Sequence, residues 1–383
     1  MRIGIITGEF PPLAGGVGDY SFQLAQALAE LGVDVHVLTD FRCARPAGPN
    51  APAFQTHAVV RGWSFPALGQ VRALARDLSL DWLNVQYQAA AYGLGAPIHF
   101  LPDVAGRPTV VTFHDLRIPY LFPKAGALRP WAVTHLARAA RGAVATDPAD
   151  AAELRRRGVR AVAQIPIGSN IRPAPPADYE RAAWRAALGV GARDCLIGYF
   201  GFLNHSKGGD TLIAALAALV TRKAPVKLLL IGGEAGASDP GDAAFAAQLE
   251  RQIKRHGLDV EGRVLRTGFV AESEVSAHLL ACDVLALPYR DGASLRRGSL
   301  MAALAHGCAI ITTTPAAPVA ELRDGETVRL VPPGSPEALV LAVSALLDAP
   351  ELRARLGAGA RAAAAGFQWN GIARRLLEFI GTL

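Results

Sequence analysis

The stretch Gly198-Tyr199-Phe200-Gly201-Phe202-Leu203-Asn204-His205-Ser206-Lys207-Gly208-Gly209-Asp210-Thr211-Leu212 constrains the fold more than any other part of the chain. It reads as a buried strand, a glycine-punctuated loop carrying one lysine, then a helix. Such a loop offers backbone N–H groups and the positive end of a helix dipole to an anion. Lys207 adds a full charge at the same place, so phosphate is the natural guest. A second glycine loop, Gly15-Gly16-Val17-Gly18, opens a helix after the first strand. Two such loops in separate halves of one chain predict a ligand held between two α/β domains.

At 383 residues the chain exceeds one ordinary core, and two domains are expected. Hydrophobic residues make up 51% and charged residues 19%, which describes a globular protein and excludes a disordered one. The long uncharged stretch Leu300 to Ala320 could by length span a bilayer. Its prolines and the strand-like Ala309–Thr313 predict instead a helix–strand pair in a core. The N-terminus starts directly as a strand, Met1 to Thr7, with no room for a signal peptide. Cys43, Cys195, Cys282 and Cys308 show no CxxC spacing and read as buried free thiols in a reducing cytoplasm. The net charge of +6, carried almost wholly by arginine, suits an anionic ligand or an anionic membrane surface. Nucleic acid is disfavoured, because the sequence has no aromatic-interleaved basic stripe and no zinc spacing. The run Arg155-Arg156-Arg157 reads as a solvated helix end, with a membrane-touching patch as the alternative.

From Arg2 to Thr39 the order is strand, loop, helix, strand, with Leu24, Leu28 and Leu31 on one face of a helix from Val17 to Leu31. Further strands are expected at Trp82–Val85, Thr109–Phe113, Ala143–Thr146 and Ala161–Ile165. Arg172-Pro173-Ala174-Pro175-Pro176 breaks this rhythm and reads as the inter-domain linker. A second series follows at Leu196–Phe200, Val226–Ile231, Val264–Thr267, Val284–Leu287, Ala309–Thr312 and Val328–Val331, then a last helix from Trp369 to Ile380. Apolar strands alternating with helices predict parallel sheets covered on both faces. The fold class is therefore α/β, two doubly wound Rossmann-like domains facing across a cleft, residues 1–173 and 174–366.

Five segments, in order along the chain, match a known family. They are Glu9-Phe10-Pro11-Pro12 with Gly15-Gly16-Val17, Thr112-Phe113-His114-Asp115, Ile165-Pro166-Ile167-Gly168, the Lys207-Gly208 loop, and Ala302-Ala303-Leu304-Ala305-His306-Gly307. The chain resembles the retaining glycosyltransferases of family 4, the group 1 type, which have the GT-B architecture. The resemblance implies transfer of a sugar from a nucleotide diphosphate sugar, UDP- or GDP-linked, to a hydroxyl acceptor with retained configuration. The acceptor would be a polysaccharide, a lipid-linked intermediate or a small glycoside. The resemblance further implies no metal or other cofactor, an acceptor-side first domain, a donor-binding second domain, and residues 367–383 crossing back onto the first. No Asp-x-Asp stands at a strand end; Asp147–Asp150 and Asp239–Asp242 have other spacing and read as cap or loop acids.

The departing diphosphate gains negative charge as the sugar becomes cation-like, and fixed cations and N–H dipoles can meet it. Lys207 is the first candidate. The family commonly has an arginine just after Gly201; here that residue is Phe202. The segment Ser294-Leu295-Arg296-Arg297-Gly298-Ser299 offers two arginines and a helix N-terminus in compensation. The family also has two glutamates eight positions apart, and aligned on Gly307 those places hold Ser294 and Ala302. Asp291 is a substitute carboxylate, and Glu321 a more remote one. By the resemblance His114, at a strand's C-terminal edge, lies beside the donor sugar, with Asp115 orienting it or capping a turn. Gly15, Gly16 and Asp19 face the acceptor, and Gln86 and Tyr87 line its pocket or pack in the core, as does Tyr20 in the core or at the rim.

In a front-face mechanism the acceptor hydroxyl attacks from the side the diphosphate leaves, and no carboxylate nucleophile is needed. The missing glutamates then chiefly unsettle donor binding. Two other readings share the fold: a sugar-nucleotide-binding partner without turnover, and a sugar-nucleotide epimerase or hydrolase.

Overall fold

The computed structural model describes residues 1–13, 15–43, 52–116, 128–232 and 240–383, without the side chains of 128, 129 and 240–242. The chain divides into two compact units, Met1–Asn170 with Phe367–Leu383, and Ile171–Gly366.

Among the described residues the first unit holds seven strands: β1 (Arg2–Ile6), β2 (Asp34–Asp40), β3 (Gln55–Val60), β4 (Trp82–Tyr87), β5 (Thr109–Phe113), β6 (Gly142–Ala145) and β7 (Val162–Gln164). They are all parallel and lie in the order 3-2-1-4-5-6-7. The second unit holds β8 (Cys195–Phe200), β9 (Val226–Ile231), β10 (Val264–Arg266), β11 (Val284–Leu287), β12 (Ile310–Thr313) and β13 (Arg329–Val331). Their order, 10-9-8-11-12-13, repeats the connectivity of the first six strands. Each sheet therefore reverses its strand order beside its first strand, between β1 and β4 and between β8 and β11. Open α/β sheets bind ligands outside the carboxyl ends of strands at such a reversal.

Alternation along each strand feeds two apolar layers. Ile3 and Ile5 pack with Tyr20, Leu24 and Leu28 of the helix Gly16–Glu30, whereas Ile6 joins Leu83 and Val85 on the other face. The last helix, Trp369–Gly381, belongs to the first unit and buries Trp369, Ile372, Leu376 and Ile380 in the same layer as Tyr20. Two glycines admit it. A Cβ at Gly142 would stand 2.8 Å from Phe379, and one at Gly168 2.7 Å from the Trp369 indole. Trp369 Nε1 donates to the Ser169 carbonyl at 2.7 Å.

In the second unit Asp283, just ahead of β11, accepts from Arg181, from the buried Arg185 and from the Leu196 N–H of β8. Burial alone would raise its carboxyl; the Leu196 N–H and the two guanidiniums outweigh that and hold it below the usual range.

β3 is a strand that the sequence pattern does not announce. It is the edge of its sheet, and only Val60 of its six residues is fully buried, so it lacks an apolar run. The uncharged stretch from Leu300 forms the helix Gly298–His306 and β12, and no helix among the described residues is long and apolar enough to cross a membrane. All four cysteines are free; Cys43 and Cys195 are buried, Cys282 and Cys308 half-buried. Burial pushes the Cys195 and Cys308 thiols up to about 12. Arg156 and Arg157 both pair with Glu153, at the solvated end of the helix Pro148–Arg156. Asp147 caps that helix by accepting from Ala149 N–H. Asp239 and the side chain of Asp242 lie outside the described residues.

Candidate functional site

The loop after β8 turns at two glycines. Gly201 has φ +117° and Gly208, which opens the helix Gly209–Thr221, has φ +68°. A Cβ at Gly201 would stand 2.5 Å from Lys207 Nζ and 3.8 Å from Ser299 Cβ. The ammonium therefore lies over the Gly201 backbone, next to the first turn of the helix Gly298–His306. Gly298 has nothing within 4 Å of where its Cβ would be, so this helix start is open on that side. Tyr289 Oη lies 2.7 Å from Ser299 Oγ and also takes the Leu300 N–H. Gly201, Lys207, Gly298 and Ser299 thus meet at the switch point of the second sheet.

The remaining donor-side candidates are arranged differently from a set of free groups. Arg297 donates to both carboxylate oxygens of Asp291 and, at 3.2 Å, to Ser206 Oγ; its guanidinium stands 4.9 Å from the Tyr289 ring centre. Asp291 and Arg297 neutralise one another and clip the loop after β11 to the loop after β8. The Arg296 N–H donates to Ser294 Oγ at 3.3 Å, and Leu295 is buried. Ala302, at the family's second glutamate position, is wholly buried. Phe202 is 42% exposed, with Lys207 Nζ 5.9 Å from its ring centre, so an apolar ring stands where a second cation was the family pattern. Glu321 lies in a turn ahead of β13.

In the first unit His114 follows β5 at the carboxyl edge. Its N–H donates to the Tyr87 carbonyl at 3.0 Å, and Nε2 lies 3.0 Å from Gln86 Oε1. The edge of Tyr20 meets its ring at 4.6 Å between centres, and Trp369 meets Tyr20 at 5.1 Å. Burial drives the imidazole down to about 3, so it is neutral at any ordinary pH. Asp115 accepts from Gln88 Nε2 at 3.1 Å; it is Gln86 that meets the His114 ring. Gln86 is itself fully buried, and Tyr87 packs in the core with its hydroxyl 2.7 Å from His99 Nε2.

Glu9 stands in a family-like segment of the sequence, but its part at the first helix N-terminus is not legible there. Its carboxylate takes the Val17 N–H at 3.2 Å, and a Cβ at Gly15 would stand 2.2 Å from Glu9 Oε2. Burial outweighs the Val17 and Gly18 N–H groups and raises this carboxyl above its ordinary value. The first helix N-terminus therefore already holds a carboxyl group from the chain itself. Gly16 and Asp19 remain exposed beside it. Asn84 is missed too, although a polar residue two positions before Gln86 in an apolar strand signals one buried polar face.

A family model described as Glycosyl transferases group 1 matches residues 194–349, and one described as Glycosyltransferase Family 4 matches residues 14–171. The D-inositol 3-phosphate glycosyltransferase of Kineococcus radiotolerans is 28% identical, over 99% of this chain and 94% of that relative. The phosphatidyl-myo-inositol mannosyltransferase of Mycobacterium leprae is also 28% identical, over 100% of this chain and 97% of its own length. The crystal structure of Anabaena HepE in complex with UDP shares the fold, with a TM-score of 0.79 over 100% of both chains at 21% identity. With one family model on each unit and relatives covered nearly end to end, this chain belongs to the family 4, group 1 glycosyltransferases.

Proposed function

We propose that this glycosyltransferase moves a hexose from a UDP- or GDP-sugar to a hydroxyl of a glycan or lipid-linked acceptor, with retention and without a metal ion. The observation that carries the reading is Lys207, its ammonium over Gly201 beside the open start of the helix Gly298–His306. A fixed cation and a helix N-terminus together favour the charge that grows on a departing diphosphate. The bond from the anomeric carbon to the diphosphate breaks, the acceptor oxygen bonds on the same face, and its proton passes to a phosphate oxygen. A neutral His114 serves that step by hydrogen bonding to the sugar, since a group lowered to about 3 is not an imidazolium at pH 7 and does not act as a general acid. Gly16 and Asp19 stand on the acceptor side. The buried Ala302 gives the ribose no carboxylate, so donor affinity rests on the diphosphate contacts.

Saturating UDP or GDP is expected to raise the thermal midpoint of the wild-type protein by about 5 °C and to leave Lys207→Ala unmoved. If neither nucleotide shifts the wild type, the donor assignment fails. Donor binding without transfer across a broad acceptor panel would favour a non-catalytic partner, and free or isomerised sugar from donor alone would favour a hydrolase or epimerase.

A lipid-linked acceptor also calls for peripheral membrane contact. The name of the Mycobacterium leprae relative points to a phosphatidylinositol acceptor for that protein. On the first unit Phe65 is 62%, Trp131 54% and Val104 37% exposed, and Phe100 joins Phe65 and Trp131 at ring distances of 6.0 and 6.3 Å. Exposed aromatic patches of this kind suit the interface of a bilayer. Trp131→Ala is expected to lower co-sedimentation with phosphatidylglycerol vesicles several-fold; unchanged binding would remove the patch from this account.

A further inference from the structure

β4 carries two amides, Asn84 and Gln86, on one face of a strand whose other residues are apolar or aromatic, and both are fully buried. Buried amides need partners at both ends. In the parallel pairing of β4 with β5, Asn84 stands opposite Val110 and Gln86 opposite Thr112. Asn84 Nδ2 lies 3.3 Å from the Val110 carbonyl oxygen and 3.0 Å from Thr112 Oγ1. A backbone carbonyl only accepts, so the Asn84 atom facing it is the NH2 group. Asn84 Oδ1 then turns to Gln86, and it too only accepts, so Gln86 presents Nε2 to it. What remains of Gln86 is Oε1, 3.0 Å from His114 Nε2. Oε1 is again an acceptor only, and the proton must therefore sit on His114 Nε2.

We propose that Asn84 and Gln86 are positioning residues that hold His114 as its Nε2–H tautomer, leaving Nδ1 to accept a hydrogen bond from a donor-sugar hydroxyl. The substrate clause rests on the reading of His114 as a residue beside the reacting sugar; the tautomer does not. Each link is dictated by the one before it, back to a main-chain carbonyl that has no alternative role. Reversing either amide would set acceptor against acceptor or donor against donor in a dry interior. The Tyr20 edge packs against the ring, and the main-chain N–H of His114 donates to the Tyr87 carbonyl and fixes the backbone that carries it. Its neutrality, enforced by burial, is what makes the tautomer matter: only one nitrogen carries a proton. Whatever meets Nδ1 must donate, so the site selects a sugar with a free hydroxyl at that position over an ether or a fluorine there.

The experiment is a long-range ¹H–¹⁵N correlation spectrum of the full chain labelled at histidine, with the His114 signals identified by their loss in His114→Asn. The wild type is expected to show a protonated Nε2, slow to exchange with water, and a bare Nδ1. The near-isosteric Gln86→Met removes the acceptor and should abolish the protected Nε2 proton. Asn84→Leu, which does not touch His114, should weaken or broaden it by freeing the Gln86 amide to turn. Thr112→Val should leave it intact, because Val110 alone orients Asn84. A wild-type His114 protonated at Nδ1, or a protected Nε2 proton that survives in folded Gln86→Met, would overturn the proposal. The spectrum requires neither donor nor turnover, so an inactive protein with the Nε2–H signature supports the positioning while counting against the transferase mechanism.

Discussion

Lys207→Ala is expected to lower kcat/KM for sugar transfer by about 10²–10³-fold, the usual loss when one preorganised charge-stabilising group is removed. The effect should appear in kcat as well as in KM. The diphosphate is anionic before and after the reaction, but its bridging oxygen gains charge only as the sugar leaves, and that increment is what an ammonium over Gly201 favours most. No arginine at position 202 shares the task, and Arg297 is already engaged by Asp291. Steady-state kinetics at saturating acceptor, with the urea midpoint as a control for folding, measure this directly. A folded variant that keeps activity within about threefold of wild type would remove Lys207 from the catalytic account.

Gly208→Ala is expected to destabilise the protein by about 3 kcal/mol, against about 1 kcal/mol for Gly257→Ala. Both glycines adopt nearly the same left-handed conformation, φ +68° and φ +66°, so the backbone strain of an added methyl is common to the pair. They differ in surroundings. A Cβ at Gly208 would stand 2.0 Å from the Pro288 carbonyl oxygen, whereas nothing lies within 4 Å at Gly257. A main-chain oxygen at the end of β11 has no rotamer into which to withdraw, so the loop after β8 must move instead. Because Lys207 is the preceding residue, that movement should carry a loss of nucleotide-dependent thermal shift as well. Urea denaturation of the two variants gives the comparison; equal losses would mean that the approach to Pro288 is soft.

The strand–loop–helix unit at Gly198–Leu212 is legible from the sequence because each signal is local. An apolar run, a glycine requiring an unusual φ and an amphipathic segment follow one another within 15 positions. The same holds for most other strands, and their alternation with helices is what implies a parallel, doubly wound sheet. β3 escapes because an edge strand with one buried residue has no such local signature.

Site chemistry divides along the same line. That Asn84 and Gln86 share one face follows from strand period alone, but that this face meets Val110, Thr112 and His114 depends on the register of β4 with β5. Asp291 and Arg297 are six residues apart and read as two separate donor contacts; only the fold of their loop turns them into one neutral pair that also reaches Ser206. Gly15 reads as a place for a ligand and holds instead the carboxylate of Glu9. The sequence by itself determined the elements and the ends of strands where chemistry gathers, because backbone periodicity and glycine conformation are properties of neighbouring residues. Which charge or amide is spent on another side chain was decided only by tertiary structure, because each such pairing is made across strands or loops whose register no local pattern carries.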